Sequence, residues 1–89
     1  MRNRNTDNAP RVAELCEAIR RGESDLSLST IIQNESYWLD RRLPAALAEW
    51  RRERRRGRAA AAGAKSQVRA TLNMIREWRA LYGAYCEAH

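Results

Sequence analysis

Arginine is concentrated in one short part of this sequence. Residues 41–58 hold eight arginines and two glutamates, a balance of +6 that equals the net charge of the whole chain. Six of the eight stand in the run RRERRRGR at positions 51–58. A helix built from this run is basic on all sides, so it cannot lie flat on an apolar core. Any fold of this chain must therefore leave the run in solvent or cover it with an acidic partner.

The rest of the composition favours a small helical domain. With 89 residues, 44% of them hydrophobic and 31% charged, the chain can form one domain with a small core. Four glycines and two prolines are too few for a turn-rich β fold. The apolar runs are too short to cross a membrane, and the basic start MRNRNTDNAP lacks the apolar stretch of a signal peptide. We therefore expect an all-α, single-domain cytoplasmic protein that does not bind a membrane.

Apolar spacing and cap-type residues predict four or five helices, after a flexible N-terminus at 1–8. Cap-type side chains at 6–8 precede the first helix, and Gly22 is a natural stop for it. At Pro44 the third helix either ends, near Leu43, or kinks, and the proline suits the first turn of the next helix. The second helix could also be a strand, since its apolar residues alternate with serines. The predicted helices span 9–21, 26–32, 36–43, 44–58 and 66–86.

The last of these helices is long and amphipathic. Its apolar side chains cover about half of its circumference, and at about 1.5 Å per residue it is about 30 Å long. Either this helix is the spine on which the others pack, or part of its apolar face joins a second copy of the chain in a homodimer. Protein docking would also use this face, through Met74, Trp78, Leu81, Tyr82 and Tyr85.

The stretch LSTIIQNESYWLDRRL, residues 28–43, resembles a helix-turn-helix in outline. Apolar residues anchor two short helices, and Gln33-Asn34-Glu35 forms the turn, with Asn34 in place of the usual glycine. The resemblance implies that the second helix lies in a DNA major groove. The outward side chains of this second helix are Tyr37, Asp40, Arg41 and Arg42. Among them, arginine can hydrogen-bond guanine and tyrosine can contact a phosphate. The alternative is two packed helices joined by a short loop.

The run RRERRRGR is similar to the RNA-binding segments of the lambdoid phage N antiterminators, in which a short basic helix enters an RNA hairpin. The similarity covers these eight residues and implies that the segment binds nucleic acid. Two alternatives remain, a solvated helix end whose arginines reflect a GC-rich gene, or contact with an acidic protein surface. Six arginines that each met a phosphate of duplex DNA would give a log–log salt slope of about −5.

The sequence offers little for catalysis. His89, the single histidine, is the terminal residue, and the carboxylates are scattered over predicted solvent faces. Cys16 and Cys86 both fall on predicted apolar faces, where a free cysteine acts as a small hydrophobic residue. A disulfide between them is the alternative. The sequence has neither a clear metal-ligand spacing nor a phosphate-binding glycine loop, so we expect no enzymatic activity, cofactor or metal.

These features together predict a small basic accessory or regulatory protein that binds nucleic acid, DNA rather than RNA, and is encoded by a phage or mobile element. The residues predicted to face a groove are Tyr37, Arg41 and Arg42. Those predicted to bind the nucleic-acid backbone are Arg51, Arg52, Arg54, Arg55, Arg56 and Arg58. The alternative is a non-enzymatic protein–protein inhibitor or adaptor, such as a phage protein that blocks a host machine. Its arginines would then meet an acidic surface, or the last helix would dock on the partner.

Overall fold

A computed structural model of the chain describes the backbone of residues 4–89 and the side chains of residues 11–89. All regular structure in this part of the chain is helical, which confirms the predicted all-α class. The elements are α1 (Arg4–Arg20), α2 (Leu28–Tyr37), a π-helical turn (Trp38–Arg42), α3 (Leu43–Arg54) and α4 (Arg58–Ala88). Because α2, the π-helical turn and α3 follow one another without a break, they form one rod. The described residues therefore form three helical rods, and the prediction of four or five helices is wrong.

α1 begins at Arg4, earlier than predicted. Residues 1–3 and the cap-type side chains at 6–8 lie outside the described residues, so the flexible N-terminus stays a prediction. The helix stops near Gly22, as expected, because Gly22 takes a φ of +73°, a left-handed conformation that glycine adopts without strain. The Gly22 N–H donates to the carbonyl of Ile19 at 3.1 Å, which satisfies one of the last carbonyls of the helix.

α2 continues through the position where the sequence predicts a turn. It begins at Leu28 because the Ser27 Oγ accepts a hydrogen bond from the Thr30 backbone N–H at 3.1 Å and so caps the helix. Asn34, expected in the turn, lies inside the helix, where its side-chain amide donates to the Thr30 carbonyl at 2.8 Å. Within the fully described segment 28–43 there is no interhelical turn, so the helix-turn-helix resemblance is not confirmed.

The π-helical turn replaces the predicted helix end before Pro44. A proline inside an α-helix has no N–H for the carbonyl four residues back, and its ring collides with that carbonyl. Here the Leu43 N–H donates to the Trp38 carbonyl, five residues back, which widens the helix just before the proline. Pro44 then stands in the first turn of α3, as the sequence predicts. The rod therefore continues past a residue that often ends a helix.

α4 is longer than predicted because it begins at Arg58 instead of near Ser66. Residues 59–62 are alanines, the best helix formers, and they offset the cost of about 1 kcal/mol for Gly63 in the helix interior. Residues 55–57 alone separate α3 from α4, so these two helices form a tight antiparallel hairpin. α4 has 31 residues, yet neither it nor another helix within residues 4–89 is apolar enough over a sufficient length to cross a membrane.

α4 is the spine of the domain, since α1, α2 and α3 all pack against it. The core lies near its C-terminal end, where Leu81 and Ala84 are buried with residues of α1 and α2, namely Cys16, Ile19 and Ile31. Two ion pairs connect the rods at this end. Arg20 of α1 pairs with Glu87 of α4 at 2.8 Å, and Arg79 of α4 pairs with Glu35 of α2 at 2.9 Å. Of the two interpretations of the long apolar face, the packing supports the spine.

The hairpin end of the domain packs through side chains that, on α3, are only half-buried. α3, which is fully described, has no buried side chain, and its Leu43, Leu47 and Trp50 are half-buried. The buried residues that α4 contributes before its core end are Ala64, Val68, Thr71 and Ile75. The described molecule is elongated, with extents of 49 by 30 by 16 Å. Because α4 is about 46 Å long at 1.5 Å per residue, it follows this long dimension, and the hairpin lies at one end.

Candidate anion-binding site at the helical hairpin

Six arginines surround the hairpin between α3 and α4, and all six are exposed. α3 supplies three of them, the connecting turn supplies two, and the first residue of α4 supplies one. We call this set the hairpin arginines: Arg51, Arg52, Arg54, Arg55, Arg56 and Arg58. The short connection concentrates their charge at one end of the elongated molecule. The run does not pack on the apolar core of this chain, as its composition predicts.

Three of the hairpin arginines, Arg51, Arg54 and Arg55, line a recess of about 350 Å³, which we call the arginine recess. Their spacing of i, i+3 and i+4 places the three side chains on one face of the rod. The Arg54 Cζ lies 5.7 Å from the centroid of the Trp50 ring, a cation–π contact that holds this guanidinium in place. None of the three forms an ion pair among the described side chains. Such a recess suits an oxyanion, because guanidinium donors bind phosphate or carboxylate oxygens in pairs.

Two other hairpin arginines are paired within α3 and the turn. Arg56 lies 3.2 Å from a carboxylate oxygen of Glu53, and Arg52 contacts the carboxylate of Glu49. The hydrogen bond from Arg52 lowers the pKa of the Glu49 carboxyl, so this carboxyl stays ionised at neutral pH. The two glutamates thus hold two guanidinium groups in place. They leave the arginine recess and Arg58 without a carboxylate partner among the described side chains.

The three other residues predicted to contact nucleic acid lie around the π-helical turn. Tyr37 is 49% exposed, and its ring meets the Trp38 ring edge-on at a centroid distance of 5.9 Å. The Arg42 Cζ lies 5.3 Å from the centroid of the Trp38 ring, so Trp38 orients both neighbours. Arg41 is exposed.

One exposed face of the rod joins Arg41 to the hairpin. The spacing i, i+4, i+7, i+11 and i+14 places on this face five exposed positions, which are 41, 45, 48, 52 and 55. Ala45 and Ala48 lie between Arg41 and the hairpin arginines, so the side chains on the intervening surface are short and uncharged. Arg41 and Arg51 are about 15 Å apart along the helix axis. The structure therefore places Arg41 on one face with two of the hairpin arginines, Arg52 and Arg55. Arg42 packs against the Trp38 ring instead.

The sequence-based prediction missed a second row of cations, which lies on α4. Arg58, Lys65, Arg69 and Arg76 are exposed and share one helical face, at spacings of i, i+7, i+11 and i+18. We call this row the α4 basic face. The signal that could have revealed it is the absence of aspartate and glutamate from residues 54–76.

The residues predicted for protein docking lie largely inside the domain. Leu81 is 4% exposed and belongs to the core, and Trp78 and Tyr85 pack against that core. The apolar stripe of α1 covers this part of α4, which explains the burial. Tyr82 remains 40% exposed. Met74, Trp78 and Leu81 line an open groove of about 390 Å³ between α1 and α4, together with Val12, Leu15 and Leu26.

The two cysteines are free and occupy different environments. Cys16 is buried in the core, as predicted, and burial raises the pKa of its thiol. Cys86 is exposed, so the prediction that it lies on a buried apolar face is wrong. At this end of α4, Ala84 and Tyr85 face the core instead. A hydrogen bond with Cys86 raises the pKa of Tyr82.

Comparison of the chain with protein families, with curated proteins and with solved structures finds no match. Within the described residues, no group of three or more histidine, cysteine, aspartate or glutamate side chains is placed to hold a metal ion. Function must therefore be inferred from the surface of this chain itself, on which the hairpin arginines and the α4 basic face are the main concentrations of charge.

Proposed function

We propose that this chain is a small non-enzymatic protein that binds duplex DNA through its hairpin arginines, in an accessory or regulatory role. The observation that carries the proposal is the arginine recess, an open surface depression lined by three arginines that have no ion-pair partner among the described side chains. A phosphate of a nucleic-acid backbone matches these donors in charge and geometry. Because the hairpin lies at one end of an elongated domain, it can meet a large polyanion without collision elsewhere.

The two groups of predicted contact residues have different roles in this proposal. The hairpin arginines bind backbone phosphates, which supplies affinity for any sequence. Arg41, with Tyr37 one helical turn before it, reaches base edges in a groove, where arginine distinguishes guanine. Support for these roles comes from the exposed face that Arg41 shares with Arg55. The alanines between them would let a duplex approach the rod closely.

An acidic protein surface is the alternative partner for the same arginines. An adaptor role through the apolar face of α4 has less support, since Leu81 is buried and Trp78 and Tyr85 pack within the domain. Salt dependence separates the two kinds of partner. Six phosphate contacts give a log–log slope of about −5, whereas a protein interface depends on salt more weakly, through rim charges and the association rate.

Fluorescence anisotropy with a labelled DNA duplex tests the proposal. A duplex of about 20 base pairs suffices, because at 3.4 Å per base pair it is longer than the molecule. We expect the affinity of the wild-type protein to fall by roughly a thousandfold or more between about 50 and 200 mM salt. If the wild-type protein does not bind duplex DNA at low salt, the proposal is wrong, and binding to a hairpin RNA alone would show that the nucleic acid was misassigned.

A pair of variants with equal loss of charge locates the binding site. Arg54→Gln/Arg55→Gln removes two guanidinium groups from the arginine recess, so the salt slope should become shallower by about 1.8. Arg11→Gln/Arg21→Gln removes two exposed arginines of α1 and its end, far along the chain from the hairpin, and should leave the slope unchanged. Equal effects of the two variants would mean that net charge, and not the hairpin, determines binding.

A further inference from the structure

The α4 basic face extends the positive surface well beyond the hairpin. From Arg58 to Arg76 it covers about 27 Å of helix at 1.5 Å per residue. The remaining positions of the row are Ala62 and Leu72, which carry no charge. Residues 54–76 contain no aspartate or glutamate, and the cations of the row form no ion pair among the described side chains. The row is thus a line of four cations, interrupted by two uncharged positions, that no acidic residue within 54–76 compensates.

Such a row opposes helix stability. Lys65 and Arg69 stand four residues apart, a spacing at which like charges destabilise a helix. Two exposed arginines outside the basic surfaces have carboxylate partners: Arg20 pairs with Glu17 on α1, and Arg79, just beyond the row, pairs with a glutamate of α2. A row without acidic neighbours is therefore better explained by an anionic ligand than by solubility.

The length and composition of the row indicate which polyanion it fits. A single helix holds its cations at fixed spacings, and 27 Å corresponds to about eight base pairs of a duplex at 3.4 Å per base pair. Proteins that bind single strands use aromatic side chains on which bases stack, and this row contains none. Arg58 belongs both to the row and to the hairpin arginines, so the two surfaces are continuous.

We infer that the backbone of a DNA duplex bound at the hairpin continues along α4, where Lys65, Arg69 and Arg76 contact its phosphates. This inference rests on the proposed function, because the hairpin arginines make the first contact. The row ends where acidic residues return, with Glu77 directly after Arg76 and the Arg79–Glu35 ion pair one turn further on. The bound duplex therefore stays on the half of α4 that lies away from the core.

The double variant Lys65→Gln/Arg69→Gln tests this inference in the anisotropy assay. Both residues are exposed, and glutamine has a helix propensity close to that of lysine and arginine, so the fold should be retained, as circular dichroism can verify. We expect the salt slope to become shallower by about 1.8 and the affinity to fall at least about tenfold at low salt. Arg11→Gln/Arg21→Gln loses the same charge and should change neither. The wild-type slope should exceed the value of about −5 that six hairpin contacts give, reaching about −8 for nine contacts.

The outcomes separate this inference from the proposed function. If the wild-type protein binds the duplex and Lys65→Gln/Arg69→Gln keeps its salt slope, the α4 contacts are wrong and the hairpin site stands. If the wild-type protein does not bind the duplex at all, the proposed function fails and this inference fails with it. Tighter binding to a single strand of the same sequence than to the duplex would overturn the assignment of the row to double-stranded DNA.

Discussion

The two ends of α4 are held in the domain by different means. At the C-terminal end, α1 and α2 bury the branched side chains of Ile19 and Ile31 against the spine, where they meet Leu81 of α4. At the hairpin end, α3 has no buried side chain, and the buried residues of α4 there begin with Ala64 and Val68. Full burial of a large apolar side chain stabilises the fold by about 1.5–3 kcal/mol. Because Ile31, which is completely buried, lies at the core end, we expect this end to contribute the larger share of the stability.

Charge and burial differ between the two ends of the domain, and on α4 also between two faces of the helix. The hairpin arginines lie on and beside α3, which has no buried side chain, and the α4 basic face is exposed although the same stretch of the helix buries Val68 and Ile75. Exposed charges contribute little to folding. Changes to these charges should therefore alter binding and leave unfolding almost unchanged. Changes at the core end should do the reverse, and the following predictions test that separation.

Ile31→Ala should have the largest effect on stability. Ile31 is 0% exposed and lies at the meeting point of α1, α2 and α4. Its truncation leaves a cavity, so we expect the free energy of unfolding to fall by about 2–5 kcal/mol. Urea denaturation followed by circular dichroism measures the change.

The adjacent Ile32 provides the control, because it is 44% exposed on the same helix. Ile32→Ala should change the free energy of unfolding by less than about 0.5 kcal/mol, as surface substitutions usually do. If Ile31→Ala also changed it by less than about 1 kcal/mol, the core end would not be the main source of stability, and the comparison between the two ends would be wrong.

Gly57→Ala should have the next largest effect, at the hairpin. Gly57 has a φ of +130°, and a Cβ at this position would meet no atom within 4 Å, so the cost comes from the backbone alone. We expect about 1–3 kcal/mol of destabilisation. The matched control is Gly63→Ala, inside α4 and also with open space around a Cβ, which should stabilise the protein by about 0.5–1 kcal/mol. Thermal unfolding should move in opposite directions for the two variants, and a shift in the same direction would contradict the strain argument.

The fold was predictable where apolar spacing was strong and less so where a single residue suggested an interruption. The spacing in 66–86 correctly predicts an amphipathic helix there, although α4 begins earlier, at Arg58. Asn34 and Pro44 suggested a turn and a break, but the Asn34 amide found a carbonyl within the helix and a π-helical turn accommodated the proline. Such local hydrogen bonds depend on the whole rod, so composition could not reveal them.

The candidate site was predictable in its charge but not in its extent. The density of arginine correctly predicts that the run at 51–58 does not lie on the apolar core, and helical spacing alone places Arg51 beside Arg54 and Arg55. The α4 basic face was missed because its cations are spread over 58–76 at low density. The sequence pattern shows that α4 has an apolar face. It does not show that α1 covers this face, because that depends on how the rods pack and no local pattern determines the packing.

The smallest predicted effect concerns pH at the core end. Burial holds the pKa of the Cys16 thiol above its ordinary value of 9.0, so the native protein keeps this proton where the unfolded chain has lost it. Because the unfolded chain then binds fewer protons than the native protein, the free energy of unfolding falls as pH rises through and above 9.0. Cys16→Val removes this titration and should lose less stability over that range, as urea denaturation at successive pH values measures. Arg54→Gln/Arg55→Gln, altered only at the hairpin, should keep the wild-type dependence. If Cys16→Val lost stability as steeply as the wild-type protein, another group such as Tyr82, whose pKa is also raised, would account for the alkaline loss, and burial of the thiol would not.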